Sequence, residues 1–302
     1  MIIRINVKEW PRLFLALFIA TVLATCGEVT ELTTTENGQS EPEVSLGYTR
    51  INEPNENDPL DAHIFELDNG LRVYLTENHE EPRFYAEIAV RAGSKHDPAD
   101  GTGLAHYLEH LLFKGNENLG TLNYEAEKPY LDEIVELYEQ HFVETDEDRR
   151  AEIYSEINRV AQRAAEFAVP NEIDKLYNSM GGSGLNAHTW YEETVYKVGL
   201  PSNRLHQWAE IESDRFVNPV FRLFHTELET VYEEKNRTLD NGGRIIGTAI
   251  DELLYKIHPY GQQPTIGTVD HLKNPSLVYI QDYFDIYYVP NKWASLLVET
   301  SI

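Results

Sequence analysis

Alternating apolar and polar residues begin at about residue 62 and predict β-strands in this part of the chain. Residues 63–67 and 71–75 flank the sequence Asp68-Asn69-Gly70. Asn-Gly accommodates the positive φ angles of a tight turn, so the two segments predict a β-hairpin. A further strand is predicted over residues 85–91.

Apolar residues at helical spacing predict most of the remaining elements. A helix is predicted over residues 104–113, and two more over about 123–170. An extended segment over 185–200 follows, and then helices near 202–217, 221–240, 244–257 and 276–288. Strands first, then helices, with one later strand, indicate an α+β fold rather than a parallel doubly wound sheet.

The N-terminal residues 1–25 have the features of a signal peptide. A basic start precedes an apolar run over residues 13–24, which is too short to span a bilayer as a helix. The single cysteine ends the sequence Leu23-Ala24-Thr25-Cys26, which resembles a bacterial lipobox. Lipidation of Cys26 is therefore predicted, although Thr25 departs from the usual Gly, Ala or Ser. The alternative is a plain signal peptide with an incidental cysteine.

Residues 26–60 carry eight acidic residues against one base and include three prolines. Such a segment buries too little apolar surface to fold alone. It is predicted to be a flexible tether between the membrane and a folded domain over residues 61–302.

The charge balance excludes some classes of function. The 302 residues include 51 acidic and 25 basic residues, a formal net charge of −26. Such a surface repels phosphate backbones, so nucleic-acid binding is not expected. A single cysteine also excludes an intrachain disulfide.

The most informative motif is His106-Tyr107-Leu108-Glu109-His110. On a helix, His106 and His110 project from one face, at a separation that allows both imidazoles to bind one Zn²⁺. Glu109 is close enough to that face to act as a general base toward a water that the metal activates. The alternative is a pair of solvent-facing histidines, which does not explain the apolar residues around them.

A catalytic zinc site needs a third protein ligand. Candidate acids lie in the segment over residues 227–235, where Glu227 and Glu234 are two helical turns apart. Chemistry alone leaves Glu233 and Glu234 equally possible as the ligand.

Together these residues resemble the pitrilysin/insulinase family of zinc metallopeptidases, in which H-x-x-E-H is the inverzincin motif. The resemblance covers about residues 62–293. It rests on an ordered series of segments: residues 69–73, 93–98, 102–115, 185–189, 212–215, 219–221 and 287–291. It implies a mixed, mainly antiparallel sheet packed against helices, and a zinc-dependent endopeptidase acting on peptides or unfolded segments.

The resemblance also implies roles for particular residues. His106, His110 and Glu234 match the ligands of one zinc ion per chain, and Glu109 matches the general base. Glu227 matches an acid that supports the site from behind. Asn186 and Ala187 match the edge-strand segment that pairs with the substrate backbone.

Two departures from the family pattern shape the expectations. The gap between His110 and Glu234 is long, and the excess is predicted to be an inserted helical hairpin over about residues 123–170. The chain also ends where the last strand of the family's first half should form, so truncation is expected. A second homologous half or a partner subunit is therefore expected to complete the site, and the alternative is a catalytically silent zinc-binding module. The expected location is the bacterial cell envelope, periplasmic or bound to the outer membrane through the lipid anchor, with secretion as the alternative.

Overall fold

The computed structural model describes residues 47–299, apart from residues 54, 56, 79 and 80. The predicted signal peptide, the lipidation site Cys26 and most of the predicted tether lie outside these residues and stay predictions. Among the described residues, no helix combines the length and apolar character that a membrane span requires.

Seven strands form one sheet in the described part of the chain. They are β1 (Tyr48–Arg50), β2 (His63–Leu67), β3 (Arg72–Glu77), β4 (Arg83–Val90), β5 (Ser183–Thr189), β6 (Thr194–Pro201) and β7 (Trp293–Glu299). Their order is β1-β2-β3-β7-β4-β6-β5. Only β3 and β7 pair in parallel, and the other five pairs are antiparallel.

The helices are α1 (Leu104–Leu111), α2 (Tyr124–Val143), α3 (Glu147–Ala165), α4 (Glu172–Ser179), α5 (Leu205–Val217), α6 (Phe224–Leu239), α7 (Gly242–Leu254), α8 (Pro259–Gln262), α9 (Val269–Leu272) and α10 (Leu277–Tyr287). The α+β class with a mixed, mainly antiparallel sheet packed against helices is confirmed. The short helices α8 and α9 were not predicted, because four residues give no readable helical period.

The main core lies between the sheet and the helices. On β4, the core-facing positions alternate with more exposed ones, and Phe84, Ala86 and Val90 are at most 1% exposed. These residues belong to one apolar cluster with α1, α2, α3, α5, α6 and α10. The helix that carries the H-x-x-E-H motif is therefore packed directly under the sheet.

The predicted helical hairpin is present as α2 and α3. Each helix is capped at its N-terminus, since Asn123 accepts a hydrogen bond from the backbone of Ala126, and Asp146 from that of Arg149. Buried side chains from both helices join the main core, including Tyr138. The hairpin is thus an integral part of the domain.

Two expectations about strands need correction. The extended segment over 185–200 is two strands, β5 and β6, joined by a turn at residues 190–193. The strand β1 lies inside the range predicted as a tether and pairs with β2, so the sheet begins before the predicted boundary at residue 61. A three-residue edge strand has too little alternation to be read from sequence.

Candidate metal centre and substrate cleft

The start of α1 is fixed by a buried carboxylate. Asp97 accepts hydrogen bonds from the backbone N–H groups of Gly103, at 2.8 Å, and Ala105, at 2.9 Å. Gly103 has a φ of +88°, and a Cβ there would lie 2.8 Å from Cα of Gly267. Burial raises the pKa of Asp97 to about 8, although its backbone hydrogen bonds oppose that shift. These contacts set where α1 begins and hence which way its histidines point.

His106, His110 and Glu234 come together although α6 lies more than a hundred residues after α1. Oε2 of Glu234 is 3.5 Å from Nε2 of His106 and 3.6 Å from Nε2 of His110. One ligating atom from each residue lies within 4.8 Å of the others. Glu233, the alternative left open by the sequence, is exposed and does not belong to this cluster.

Glu227 lies behind His110, away from the cleft. Its Oε2 is 3.4 Å from Nδ1 of His110, and its Oε1 is 2.7 Å from Nζ of Lys114. Glu227 therefore contacts the histidine nitrogen that faces away from Glu234, which is the arrangement expected of an outer carboxylate.

Glu109 is buried and also lines the cleft. Its Oε2 accepts a hydrogen bond of 2.6 Å from Oγ1 of Thr189, at the end of β5. Burial raises the pKa of Glu109, against the hydrogen bond from Thr189, which lowers it. The carboxylate is thus held in one orientation beside the two histidines.

The two histidines differ in their electrostatic surroundings. Burial and the neighbouring His110 lower the pKa of His106 to about 4. Burial also acts to lower the pKa of His110, but its hydrogen bonds to Glu227 and Glu234 raise it to about 9. The bond to His110 lowers the pKa of Glu234. Negative charge therefore surrounds His110, as it would at a cation site.

The donor set fits a zinc ion. Two imidazoles and one carboxylate with an open fourth position are a known catalytic zinc set. Ligands at about 2.0–2.1 Å in tetrahedral geometry are roughly 3.3–3.4 Å apart. The separations of 3.5 and 3.6 Å are within a few tenths of an ångström of that range.

The cluster lies in a cleft of about 1090 Å³. One wall is β5, an outer strand of the sheet, on which Asn186 is exposed and Ala187 is half-buried. Other lining residues come from the end of α6, from α7, and from residues 260–261 and 264–266. An edge strand beside the histidines leaves backbone groups available to an extended chain.

Sequence reasoning gave no role to three residues of this site: Asp97, Lys114 and Thr189. All three fall inside the segments that carry the family resemblance. The contacts of Asp97 join positions six and eight residues apart, and those that Lys114 and Thr189 make within this site span 80 residues or more, so no local pattern indicates them.

Comparison with known proteins agrees with this fold. Residues 72–134 match the sequence model of the insulinase family, peptidase family M16. The probable zinc protease PqqL of Haemophilus influenzae is 26% identical over 254 residues, which are 81% of this chain and 22% of that protein. The zinc protease PqqE of Helicobacter pylori is 24% identical over 77% of this chain and 42% of its own length.

Solved structures share the fold. The crystal structure of pitrilysin matches 85% of this chain and 23% of its own, with a TM-score of 0.59 and 18% identity. The first half of the periplasmic protease PqqL from Escherichia coli matches 80% of this chain and 42% of its own, with a TM-score of 0.57 and 20% identity.

The chain therefore spans about a fifth of the length of the PqqL relatives and about two fifths of the length of PqqE. Its matched residues correspond to one part of a larger protease. The resemblance to the insulinase/pitrilysin family of zinc proteases, peptidase family M16, that was predicted from the sequence is confirmed by the family match, by relatives named as zinc proteases and by the shared pitrilysin fold.

Proposed function

We propose that this chain is the metal-binding half of a zinc-dependent endopeptidase that hydrolyses peptides or unfolded polypeptide segments. The observation that carries the proposal is the meeting of His106, His110 and Glu234 in the cleft that Glu109 also lines. These groups come from two helices and make up a complete protein ligand set with a neighbouring carboxylate.

His106, His110 and Glu234 would hold one zinc ion, and Glu227 would orient His110 through Nδ1. When bound, the ion would supply Lewis-acid activation of a water and of the scissile carbonyl. The imidazoles act as neutral ligands, so binding releases any proton that they carry.

Glu109 would act as the general base and then as the general acid. Its carboxylate accepts a proton from the attacking water and delivers it to the leaving amine. Thr189 restricts its rotation through the 2.6 Å hydrogen bond. A fixed carboxylate loses little entropy when the substrate binds, which favours catalysis.

The outer strand β5 would bind the substrate backbone at Asn186 and Ala187. Pairing with a strand edge uses main-chain hydrogen bonds. The substrate must therefore be extended, but its side chains are little restricted. Peptides and unfolded segments meet that demand, whereas folded proteins do not.

The alternative function is a zinc-binding module that is silent without a partner half. The length of the relatives supports a partner, since this chain matches about two fifths of PqqE. A second homologous half, in the same polypeptide or in a partner subunit, would close the cleft and contribute groups to the substrate site.

We also propose a location in the bacterial cell envelope, with a lipid anchor at Cys26. A solved relative from Escherichia coli is described as a periplasmic protease. Replacement of Cys26 by alanine should release the protein from the membrane fraction after cell lysis, while an unchanged distribution would contradict the anchor.

The test of the main proposal is cleavage of a quenched fluorescent peptide library with zinc, with chelator, and with two variants. Glu109→Gln should abolish cleavage while zinc remains bound. Glu233→Gln changes a neighbouring exposed acid and should leave cleavage intact. Zinc-dependent cleavage that survives Glu109→Gln would refute the mechanism, and one bound zinc per chain without any cleavage would favour the silent module.

A further inference from the structure

Lys114 and His110 contact the two different oxygens of one buried carboxylate. Nζ of Lys114 is 2.7 Å from Oε1 of Glu227, and Nδ1 of His110 is 3.4 Å from Oε2. The side chains of Lys114 and Glu227 are only 15% and 11% exposed. Water therefore competes weakly with the lysine for this carboxylate.

The terminal torsion of a glutamate side chain, χ3, has a broad distribution, so rotamer preference alone does not fix the orientation of the carboxylate. The ammonium group of Lys114 supplies the missing restraint, because it fixes one oxygen and leaves the other directed at His110. Nδ1 of His106, by contrast, has no hydrogen-bond partner among the described residues. The outer support of the two histidines is therefore concentrated on His110.

The backbone of Lys114 is itself held in place. Its carbonyl accepts a 2.8 Å hydrogen bond from Nη1 of Arg222, which also donates to the carbonyl of Leu119 at 2.8 Å, while Nη2 donates to the carbonyl of Asn116 at 2.7 Å. The guanidinium is 1% exposed and pairs with Glu127 of α2 at 3.1 Å. The helical hairpin thus reaches the loop that follows the H-x-x-E-H helix.

We propose that Lys114 is a positioning residue of the metal centre, which acts through Glu227 on His110, and that the Arg222–Glu127 pair anchors its loop. The inference rests on the proposed role of His110 as a ligand. The simpler explanation is an ion pair that only stabilises the packing of α1 against α6. The two explanations differ in what happens to metal affinity when the fold is unchanged.

The test measures zinc affinity by competition with a chromophoric chelator, and the visible absorption of the cobalt-substituted chain. Lys114→Met retains the length of the side chain and removes its charge. It should weaken zinc binding about tenfold, at the low end of the range for outer partners of metal ligands. It should also shift the cobalt spectrum.

Two further variants make the result specific. Lys114→Arg retains a donor to Glu227 and should restore most of the affinity. Lys128→Met removes another lysine on a neighbouring element, one that pairs with Asp132 at the surface, and should leave affinity unchanged. Circular dichroism and thermal unfolding of each variant verify the fold.

A double-mutant cycle with Glu227→Gln tests whether Lys114 acts on the metal centre through Glu227. If Lys114 acts through Glu227, Lys114→Met should cost no further affinity in the Glu227→Gln background. A full tenfold loss in both backgrounds, or no loss in the parent chain, would overturn the inference.

The measurement needs no turnover, which separates this inference from the proposed function. A parent chain that binds no zinc would overturn both. A parent chain that binds zinc, with Lys114→Met binding it equally well, would overturn the positioning role alone.

Discussion

The two helical flanks of the cleft are built in different ways. On the flank formed by α1 and α6, Leu108, Leu111 and Val231 have no exposed surface, and the buried Arg222, which shortly precedes α6, pairs with Glu127 of α2. On the flank formed by α7 and α8, no residue is buried. There the exposed apolar residues are Ile245, Ile246, Ile250, Leu253 and Leu254.

This difference shows which part of the structure positions the candidate metal ligands. The helices that carry the ligand cluster both contribute residues to the main core, and their packing sets the separations within the cluster. The position of α7 rests on few buried contacts, and an apolar surface of that kind is typical of an interaction surface. One flank therefore positions the candidate metal ligands, and the other is the more exposed wall of the cleft.

The largest effect is expected from breaking the buried ion pair. Arg222→Met leaves Glu127 buried without a counter-charge, which should lower the free energy of unfolding by about 3–5 kcal/mol. Urea denaturation measures this change in the free energy of unfolding. Arg149→Met removes an exposed partner of Glu152 on α3 and serves as the control, expected to behave like the parent. A loss below about 1 kcal/mol for Arg222→Met would contradict the rigid flank.

A matched pair of leucines compares the two flanks directly. Leu108→Ala on α1 opens a cavity in a fully buried position and should cost about 2–5 kcal/mol. Leu253→Ala on α7, where the side chain is 70% exposed, should stay within about 0.5 kcal/mol of the parent. Equal losses in denaturant unfolding would mean that the flanks do not differ.

The pH dependence of stability tests the start of α1. The pKa of Asp97 is raised to about 8 by burial, and an unfolded aspartate titrates near about 4. The folded state therefore binds more protons between these values. The contribution of Asp97 to stability should fall as the pH rises from about 4 to about 8, by on the order of a few kcal/mol. Asp97→Asn should flatten this part of the plot of unfolding free energy against pH. An unchanged slope would mean that other groups cause the pH dependence.

The smallest effect on stability is expected at the surface of α7. Ile250→Gln changes a side chain that is 48% exposed, so the free energy of unfolding should stay within about 0.5 kcal/mol. The same change should reduce the fluorescence of a bound apolar dye, because it removes part of the exposed apolar surface. Unchanged dye binding would show that α7 is covered in solution.

Much of the fold followed from local patterns. Asp68-Asn69-Gly70 predicted the β2–β3 hairpin because its turn chemistry is local, and the long helices followed from apolar periodicity. The division of residues 185–200 into β5 and β6 was missed, because the turn at residues 190–193 contains no glycine, proline or asparagine.

The candidate site could be predicted only in part. The helical spacing of His106 and His110 is a local property, and so is the choice of Glu109 as their neighbour. Glu234 was selected over Glu233 by family resemblance, because both are carboxylates on one helix. Its separation from the histidines, at 3.5 and 3.6 Å, depends on how α6 packs against α1.

The sequence by itself determined the α+β class, the helix that presents two histidines and a glutamate, and the resemblance to the insulinase/pitrilysin family. These properties depend on residues a few positions apart, or on an ordered series of short segments. Only the tertiary structure decided that β7 lies between β3 and β4, that Thr189 holds Glu109, and that Lys114 meets Glu227. Those contacts join residues 80 or more positions apart, and their formation depends on the packing of the whole core rather than on any local preference of the chain.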